Sequence, residues 1–434
     1  MSKRVPSSAP HFIQTISRFF NKYPGLPYLG KWLLLCSLIG VFIGSASAGF
    51  LASLNWATSF RSEHTWILWL LPLAGWLIGW SYHRFGKDVE GGNNLLLKNI
   101  RRPDAKIPLK MGVFVYCGTI LTHLFGGSAG REGTAIQMAG AVADQFAKPF
   151  RLKPEDRSVL LIAAVAAGFG SVFGTPLAGA IFGLEVFFIG RLRYNAILPA
   201  FAAAIVADLV TRWWQVGHTH YHIPLVPAVS PSAIFYIAVA GVCFGCCAAL
   251  FSQLLHRLTG FFKSVISSAP LRPVVGGVII IALTYLLGTN EYLGLGIPGI
   301  LKAFDQQLTA DVFLLKIAFT VITLSAGFKG GEVTPLFFIG ATLGSALSWL
   351  LPLPTALLAG MGFVAVFAGA TNTPLACTIM GIELFGAACG VYVGLACVIA
   401  YLMSGHHSIY QGQMIGEVKN ERFTKDAGKI FQDL

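Results

Sequence analysis

The chain has 434 residues, of which 55% are hydrophobic and 12% charged, and its 31 lysines and arginines outweigh 19 acidic residues for a formal charge of +12. A soluble fold has no interior large enough for that much apolar surface, so the chain reads as a multi-spanning membrane protein. The basic excess clusters between apolar runs, the pattern of cytoplasmic loops rather than of a nucleic-acid partner.

In chain order, residues 1–29 carry Lys3, Arg4, Arg18 and Lys22 and read as a cytoplasmic amino-terminal segment. The first apolar run, about 31–54, has no Ala-x-Ala-like cleavage site with a polar mature domain behind it, which predicts a retained span. Further apolar runs follow at about 65–82, 108–147, 158–189, 195–214, 232–255, 273–288, 312–326, 334–351 and 355–403. A span needs about 20 predominantly apolar residues. Several of these runs are shorter, or hold glycine, proline and a carboxylate at their centres, which predicts half-helices meeting where protein or a water-filled cavity covers them. Basic loops lie at 84–110 and 148–157, and residues 416–434 form a basic tail too short for a regulatory domain. Both termini are therefore expected in the cytoplasm, with a membrane domain over 30–415. Trp213, Trp214 and Tyr221 suit an interfacial belt, and His218, His220 and His222 beside them read as a solvated loop rather than a zinc site. His406 and His407 read as surface residues. All eight cysteines lie in apolar segments, where they act as small packing groups.

Gly127-Ser-Ala-Gly-Arg-Glu132-Gly-Thr134 lies in the middle of an apolar run, and a degenerate copy returns as Gly330-Gly331-Glu332-Val333-Thr334. A second segment, Thr175–Phe187, is repeated as Thr373–Phe385, each ending in a Glu-x-Phe. Two motifs repeated in one order at nearly one spacing divide the domain into halves of about 30–220 and 230–405. Gly-broken duplicates of this kind point to a site between the halves. A carboxylate at membrane depth is costly, which marks Glu132 as functional. Helix amino ends at such breaks present unpaired N–H groups and a partial positive charge, a ready anion site. The candidate breaks are Gly91–Leu95, Gly130–Thr134, Gly330–Pro335 and Gly294–Pro298. Glu185 and Glu383, in equivalent repeat positions, read as acids bonding backbone at helix breaks; Glu332 reads either as a structural acid or as a second ion-handling carboxylate.

Gly126-x-Ser128-x-Gly130 formally fits a serine nucleophile motif, and His123 lies one helical turn earlier, yet no other support for a hydrolase appears, so no enzyme is expected. Walker, His-Glu-x-x-His and dinucleotide patterns are missing, and no metal or cofactor is expected. Carboxylates that ligate a cation would make a cation/proton antiporter, but the main break offers one glutamate amid backbone donors.

These residues resemble the CLC family of chloride channels and proton-coupled anion exchangers. Gly130-Arg131-Glu132-Gly133-Thr134 is similar to its Gly-[Arg/Lys]-Glu-Gly-Pro motif, Gly331-Glu332-Val333-Thr334-Pro335 to its Gly-x-Phe-x-Pro motif, and Pro176–Glu185 to its Pro-Leu-Ala-Gly segment. The resemblance implies an all-α polytopic, CLC-like inverted-repeat domain with broken and half-spanning helices, embedded in membrane lipid of a bacterial-type plasma membrane. It also implies a homodimer with one pore per subunit. Gly92-Asn93-Asn94 in place of Gly-Ser-Gly, Thr134 in place of proline and Val333 in place of phenylalanine look like the fluoride-exporting branch. On that resemblance the chain is a fluoride/proton antiporter in which Glu132 gates and carries protons. Asn93, Asn94, Gly130, Arg131, Gly133, Thr134, Val333, Thr334, Phe337, Phe338 and Tyr410 then surround the anion path, and either asparagine is open to face the ion. Val186 stands where the family's chloride exchangers carry an inner glutamate. A chloride/proton antiporter or passive chloride channel of the same fold is the alternative.

Overall fold

The computed structural model describes residues 25–103 and 105–431. Among the described residues each half of the chain contributes eight α-helices. The first half holds α1 (Gly25–Glu63), α2 (Leu71–Phe85), α3 (Gly92–Arg101), α4 (Lys110–Leu124), α5 (Glu132–Ala147), α6 (Pro154–Phe173), α7 (Pro176–Glu185) and α8 (Ile197–Trp213). The second holds α9 (Pro231–Val265), α10 (Leu271–Leu287), α11 (Ile297–Asp305), α12 (Ala310–Ser325), α13 (Val333–Leu347), α14 (Thr355–Thr371), α15 (Pro374–Phe385) and α16 (Gly390–Met403). In order and approximate length the two sets run parallel, α1 beside α9, α3 beside α11 and α5 beside α13.

Among the described residues four helices are long and apolar enough to cross a bilayer, α1 and α9 with 39 and 35 residues being the longest. Helices α3, α7 and α11 have only 10, 10 and 9 residues, about 15 Å each, half of a hydrocarbon core. The long apolar run at 108–147 is broken by the loop between α4 and α5, and the run at 355–403 is broken into α14, α15 and α16. Helix α6 from Ser158 and α14 from Ala356 are buried on every side to their carboxyl ends, the state expected of helices that are hydrophobic all round. They form the centre, and shorter helices gather around them.

Close packing there depends on glycine. A Cβ built on Gly340 of α13 would lie 2.0 Å from the Gly362 carbonyl oxygen of α14, and one on Gly362 2.0 Å from that of Gly340. Small residues let membrane helices approach in this way. Helices α7 and α15 tie the halves together by exchanging caps. The Glu185 carboxylate, at the end of α7, accepts from the N–H groups of Leu375 (3.1 Å) and Ala376 (2.8 Å) at the start of α15. The Glu383 carboxylate, near the end of α15, accepts from Leu177 (3.0 Å) and Ala178 (2.7 Å) at the start of α7. Each acid satisfies orphan donors of the other repeat at its positive end.

Among the described residues one pair of short strands accompanies the helices. Phe188–Ile189 (β1) pairs in parallel with Met414–Ile415 (β2), which folds the segment after α16 back onto the body. Lys419 fixes it further, its Nζ donating to the Tyr401 oxygen (2.6 Å), Ser404 Oγ (3.0 Å) and Gly405 oxygen (2.7 Å) at the end of α16. Three sequence expectations are corrected. Tyr221 does not join the interfacial belt but packs among Phe304, Phe363 and Phe385, because the linker runs inward. His218 is not in a solvated loop: both ring nitrogens are inaccessible, and the ring lies against Gly174. His406 is 9% exposed, covered by the returning tail, and His407 is half-buried, its Nε2 at 3.0 Å from Gln253.

Candidate functional site

The two copies of the glycine-glutamate motif meet at the middle of the molecule. Gly130 donates its N–H to the Gly331 carbonyl (2.6 Å), and Gly331 returns the bond (2.8 Å). This two-bond bridge requires glycine: a Cβ on Gly130 would stand 2.9 Å from the Gly331 oxygen, and one on Gly331 2.7 Å from the Gly133 nitrogen. Helices α5 and α13 start immediately after it, so two helix amino ends lie within a few residues of one another. Their unpaired N–H groups make the locality positive without a formal charge.

Glu132 is fully buried. Although it opens α5, its side chain reaches to the start of α13, where Oε1 accepts from Thr334 Oγ1 (2.5 Å) and Oε2 from Thr334 N (3.1 Å). Arg131 N also donates to Oε2 (3.1 Å). The Arg131 guanidinium is 3.4 Å from Oε1 without a directed hydrogen bond from Nε, and it lies 5.9 Å over the Phe173 ring. The carboxylate therefore caps the amino end of α13. Two further basic side chains are held by backbone carbonyls. Lys316, fully buried, donates to the carbonyls of Tyr292 (3.0 Å) and Gly294 (2.9 Å), and Arg61 donates to the His123 carbonyl (3.1 Å).

The start of α5 faces a different set. A Cβ on Gly133 would be 3.2 Å from Asn93 Nδ2 and 3.7 Å from Glu332 Oε2. Asn93 Oδ1, Glu332 Oε2 and the Tyr410 hydroxyl are all inaccessible and lack a hydrogen-bond partner. Three orphan polar atoms so close together are costly unless a further species satisfies them. Asn93 and Tyr410 line a small cavity of about 20 Å³ together with Ile136, Val165, Phe182 and Val186, room for one water-sized occupant. A second cavity of about 260 Å³ runs past Gly92, Asn93, Gln137, Glu332 and Tyr410, and also has Lys263 and Lys329 on its wall.

The remaining sequence candidates separate by contact. Asn94 also borders the larger cavity, but its Oδ1 accepts from Gly412 N (2.9 Å) and anchors the loop that carries Tyr410. Asn93 has no such protein partner for its oxygen. Thr134 is buried, its hydroxyl 2.6 Å from that of Thr119, and Val333 is fully buried at the first turn of α13. Phe337 stacks on Phe363 at 4.1 Å and meets Phe173 and Phe367 edge-on. Phe338 packs on Gly299, 5.2 Å from the Lys316 ammonium. Neither phenylalanine lines the two cavities; aromatic packing holds both rings inside the helix layer. Ser128 is committed to Thr320 (3.0 Å between hydroxyls) and His123 Nε2 lies 3.5 Å from the Gly130 oxygen, so serine and histidine do not pair.

Residues that sequence reasoning missed include Gln413. Its Nε2 donates to the carbonyls of Val186 (2.9 Å) and Thr371 (2.8 Å), and its Oε1 accepts from Asn372 (3.0 Å), which fixes the Tyr410 loop against the ends of α7 and α14. Lys316 was missed too, although one lysine inside an apolar run was a signal for it.

A family model described as voltage gated chloride channel matches residues 74–405. This chain belongs to that family, the CLC proteins. Its class is therefore that of a membrane-embedded anion-transport protein. A chloride/fluoride channel protein of Pseudomonas syringae pv. tomato is 51% identical over 403 residues, covering 92% of this chain and 89% of the relative. An H(+)/Cl(-) exchange transporter ClcA of Klebsiella pneumoniae is 26% identical over 392 residues, covering 81% and 80%. Among solved structures, a CLC-type fluoride/proton antiporter superposes with a TM-score of 0.86 at 35% identity, over 90% of this chain and 98% of that one. A slow cyanobacterial Cl-/H+ antiporter shares the fold at 20% identity, with a TM-score of 0.75.

Proposed function

We propose that this CLC protein is a proton-coupled fluoride exporter in which Glu132 and fluoride take turns at the amino end of α13. The observation that carries the reading is the seat of the Glu132 carboxylate on the Thr334 hydroxyl and N–H. Ionised, the side chain holds that place through charge-assisted hydrogen bonds. Protonated, it loses most of that attraction and leaves with its proton, and the Thr334 donors turn to an anion. Fluoride is small and strongly hydrated, so it needs short, strong donors, and Thr334 Oγ1, Asn93 Nδ2 and the Tyr410 hydroxyl are of that kind. A 51% identical relative named for chloride and fluoride and a 35% identical structure titled a fluoride/proton antiporter support the same anion.

Val186 carries no proton, and Glu332 is the carboxylate available in its place. Its unpartnered Oε2 beside the Gly133 end of α5, on the wall of the larger cavity, suits a second proton stop. The protein works, on this reading, as a homodimer in a bacterial inner membrane with both termini in the cytoplasm. The relative named a channel gives a second reading, passive conduction of fluoride or chloride.

Efflux from liposomes measured with ion electrodes, fluoride and chloride side by side and internal pH followed, tests the assignment. Fluoride should leave faster than chloride and drive proton uptake, and Glu132→Gln should abolish the proton flux. Equal halide rates would favour chloride transport, a flat pH trace would favour the channel, and an undiminished proton flux in Glu132→Gln would remove Glu132 from the mechanism.

A further inference from the structure

Helix α9 presents an exposed stripe along its outer face made of Phe235, Val242, Leu250, Leu254, Phe261 and Val265. Arg257 interrupts it, also exposed. The residue sits about two turns, roughly 12 Å, before the end of α9, at a depth where the stripe on either side is apolar. No carboxylate, carbonyl or ring among the described residues pairs with its guanidinium, and the titratable side chain that feels its charge is His407, a like charge when protonated. An uncompensated charge on a lipid-facing surface is costly, and a long side chain lessens the cost by reaching for an anion at the headgroup level.

The surroundings of Arg257 are shaped for an apolar occupant. It stands on a groove of about 370 Å³ between α9 and α12, walled by Leu254, Leu258 and Phe261 on one side and Ile317, Ala318 and Val321 on the other. A hydrocarbon chain satisfies the walls, and a phosphodiester accepts the planar fork of the guanidinium bidentately. Both requirements meet in one molecule. Among the described residues Arg257 is the one charged side chain on the groove wall, and its positive charge favours a headgroup of net negative charge over a zwitterion. We propose that the α9–α12 groove is a binding site for one anionic phospholipid, with Arg257 on its phosphate and an acyl chain between the two helices. The site is independent of which halide the protein carries.

Native mass spectrometry of the full chain in detergent tests the site, with phosphatidylglycerol or phosphatidylcholine added and with an excess of inorganic phosphate as a separate arm. The wild type should retain phosphatidylglycerol about fivefold better than phosphatidylcholine, the effect of roughly one basic side chain near a membrane surface. Arg257→Gln should erase that preference and Arg257→Lys should keep most of it. Ala318→Phe, which fills the groove and leaves the charge in place, should reduce retention of both lipids and provides the answer if Arg257→Gln is lost on purification. Equal retention of the two lipids by the wild type, or undiminished phosphatidylglycerol on Arg257→Gln or on Ala318→Phe, would overturn the proposal. Displacement of the lipid by inorganic phosphate alone would overturn it too, by making Arg257 a free-anion site.

Discussion

Thr334→Val isolates the hydroxyl on which Glu132 rests. Threonine 334 is 3% exposed, and valine has nearly its shape, so the substitution removes the 2.5 Å bond to Glu132 Oε1 while the backbone N–H bond at 3.1 Å stays. A hydrogen bond to an ionised acceptor contributes about 1.5–3 kcal/mol. Taking about 2 kcal/mol, the seat weakens about thirtyfold, since every 1.4 kcal/mol is a factor of ten. Fluoride, offered the same hydroxyl, loses a comparable amount, whereas chloride, being larger and less dependent on short donors, loses less. Fluoride efflux from liposomes should therefore fall by about ten- to thirtyfold, with the fluoride-to-chloride rate ratio falling in parallel. Thr334→Ser restores the hydroxyl and should stay within about threefold of the wild type. Valine at wild-type fluoride rates, or serine as impaired as valine, would refute the reasoning, because packing and not the hydroxyl would then set the rate.

Asn93→Leu should suppress fluoride efflux by about tenfold or more, while Asn94→Leu should leave turnover largely intact and lower stability by about 1 kcal/mol, the loss of a partly buried hydrogen bond from Gly412 N; efflux and melting measured on both variants separate the two roles. Gly340→Ala places a methyl group 2.0 Å from the Gly362 oxygen, and the forced separation of α13 and α14 should cost about 3 kcal/mol, read as a fall in melting temperature and in monodisperse yield. Burial pushes the Lys419 ammonium down to about 7, below its value in an undocked tail, about 10.4. Between these values the undocked tail binds more protons than the docked one, so docking strengthens as pH rises from 7 towards about 10 and carries its full penalty below 7. Hydrogen exchange at the Ile415 amide, which donates to the Lys429 carbonyl, corrected for intrinsic rates, should show protection increasing over that window; protection that falls instead would reverse the sign.

The membrane class and the family were legible in the sequence because both are linear patterns, apolar runs of bilayer length and motifs in a fixed order, and a carboxylate where charge is costly drew attention to residue 132. The same logic found the acids of the second repeat, since Glu185 and Glu383 share a position. What linear order does not hold is which partner lies across the repeat. That Glu132 bonds to Thr334 and not to its own helix, that Glu185 and Glu383 cap one another's helices, and that Asn93 keeps an orphan oxygen while Asn94 anchors Gly412 all depend on how the halves are set against each other. Adjacent asparagines are alike as letters, and helix rotation alone turns one towards the small cavity and gives the other its bond to the Tyr410 loop. The inward run of Tyr221 and the covering of His406 by the tail were hidden for the same reason: burial there is imposed by segments far away in the chain. Periodicity records which face of a helix is apolar, and contacts between residues two hundred positions apart leave no trace in it, so the tertiary structure alone decided them.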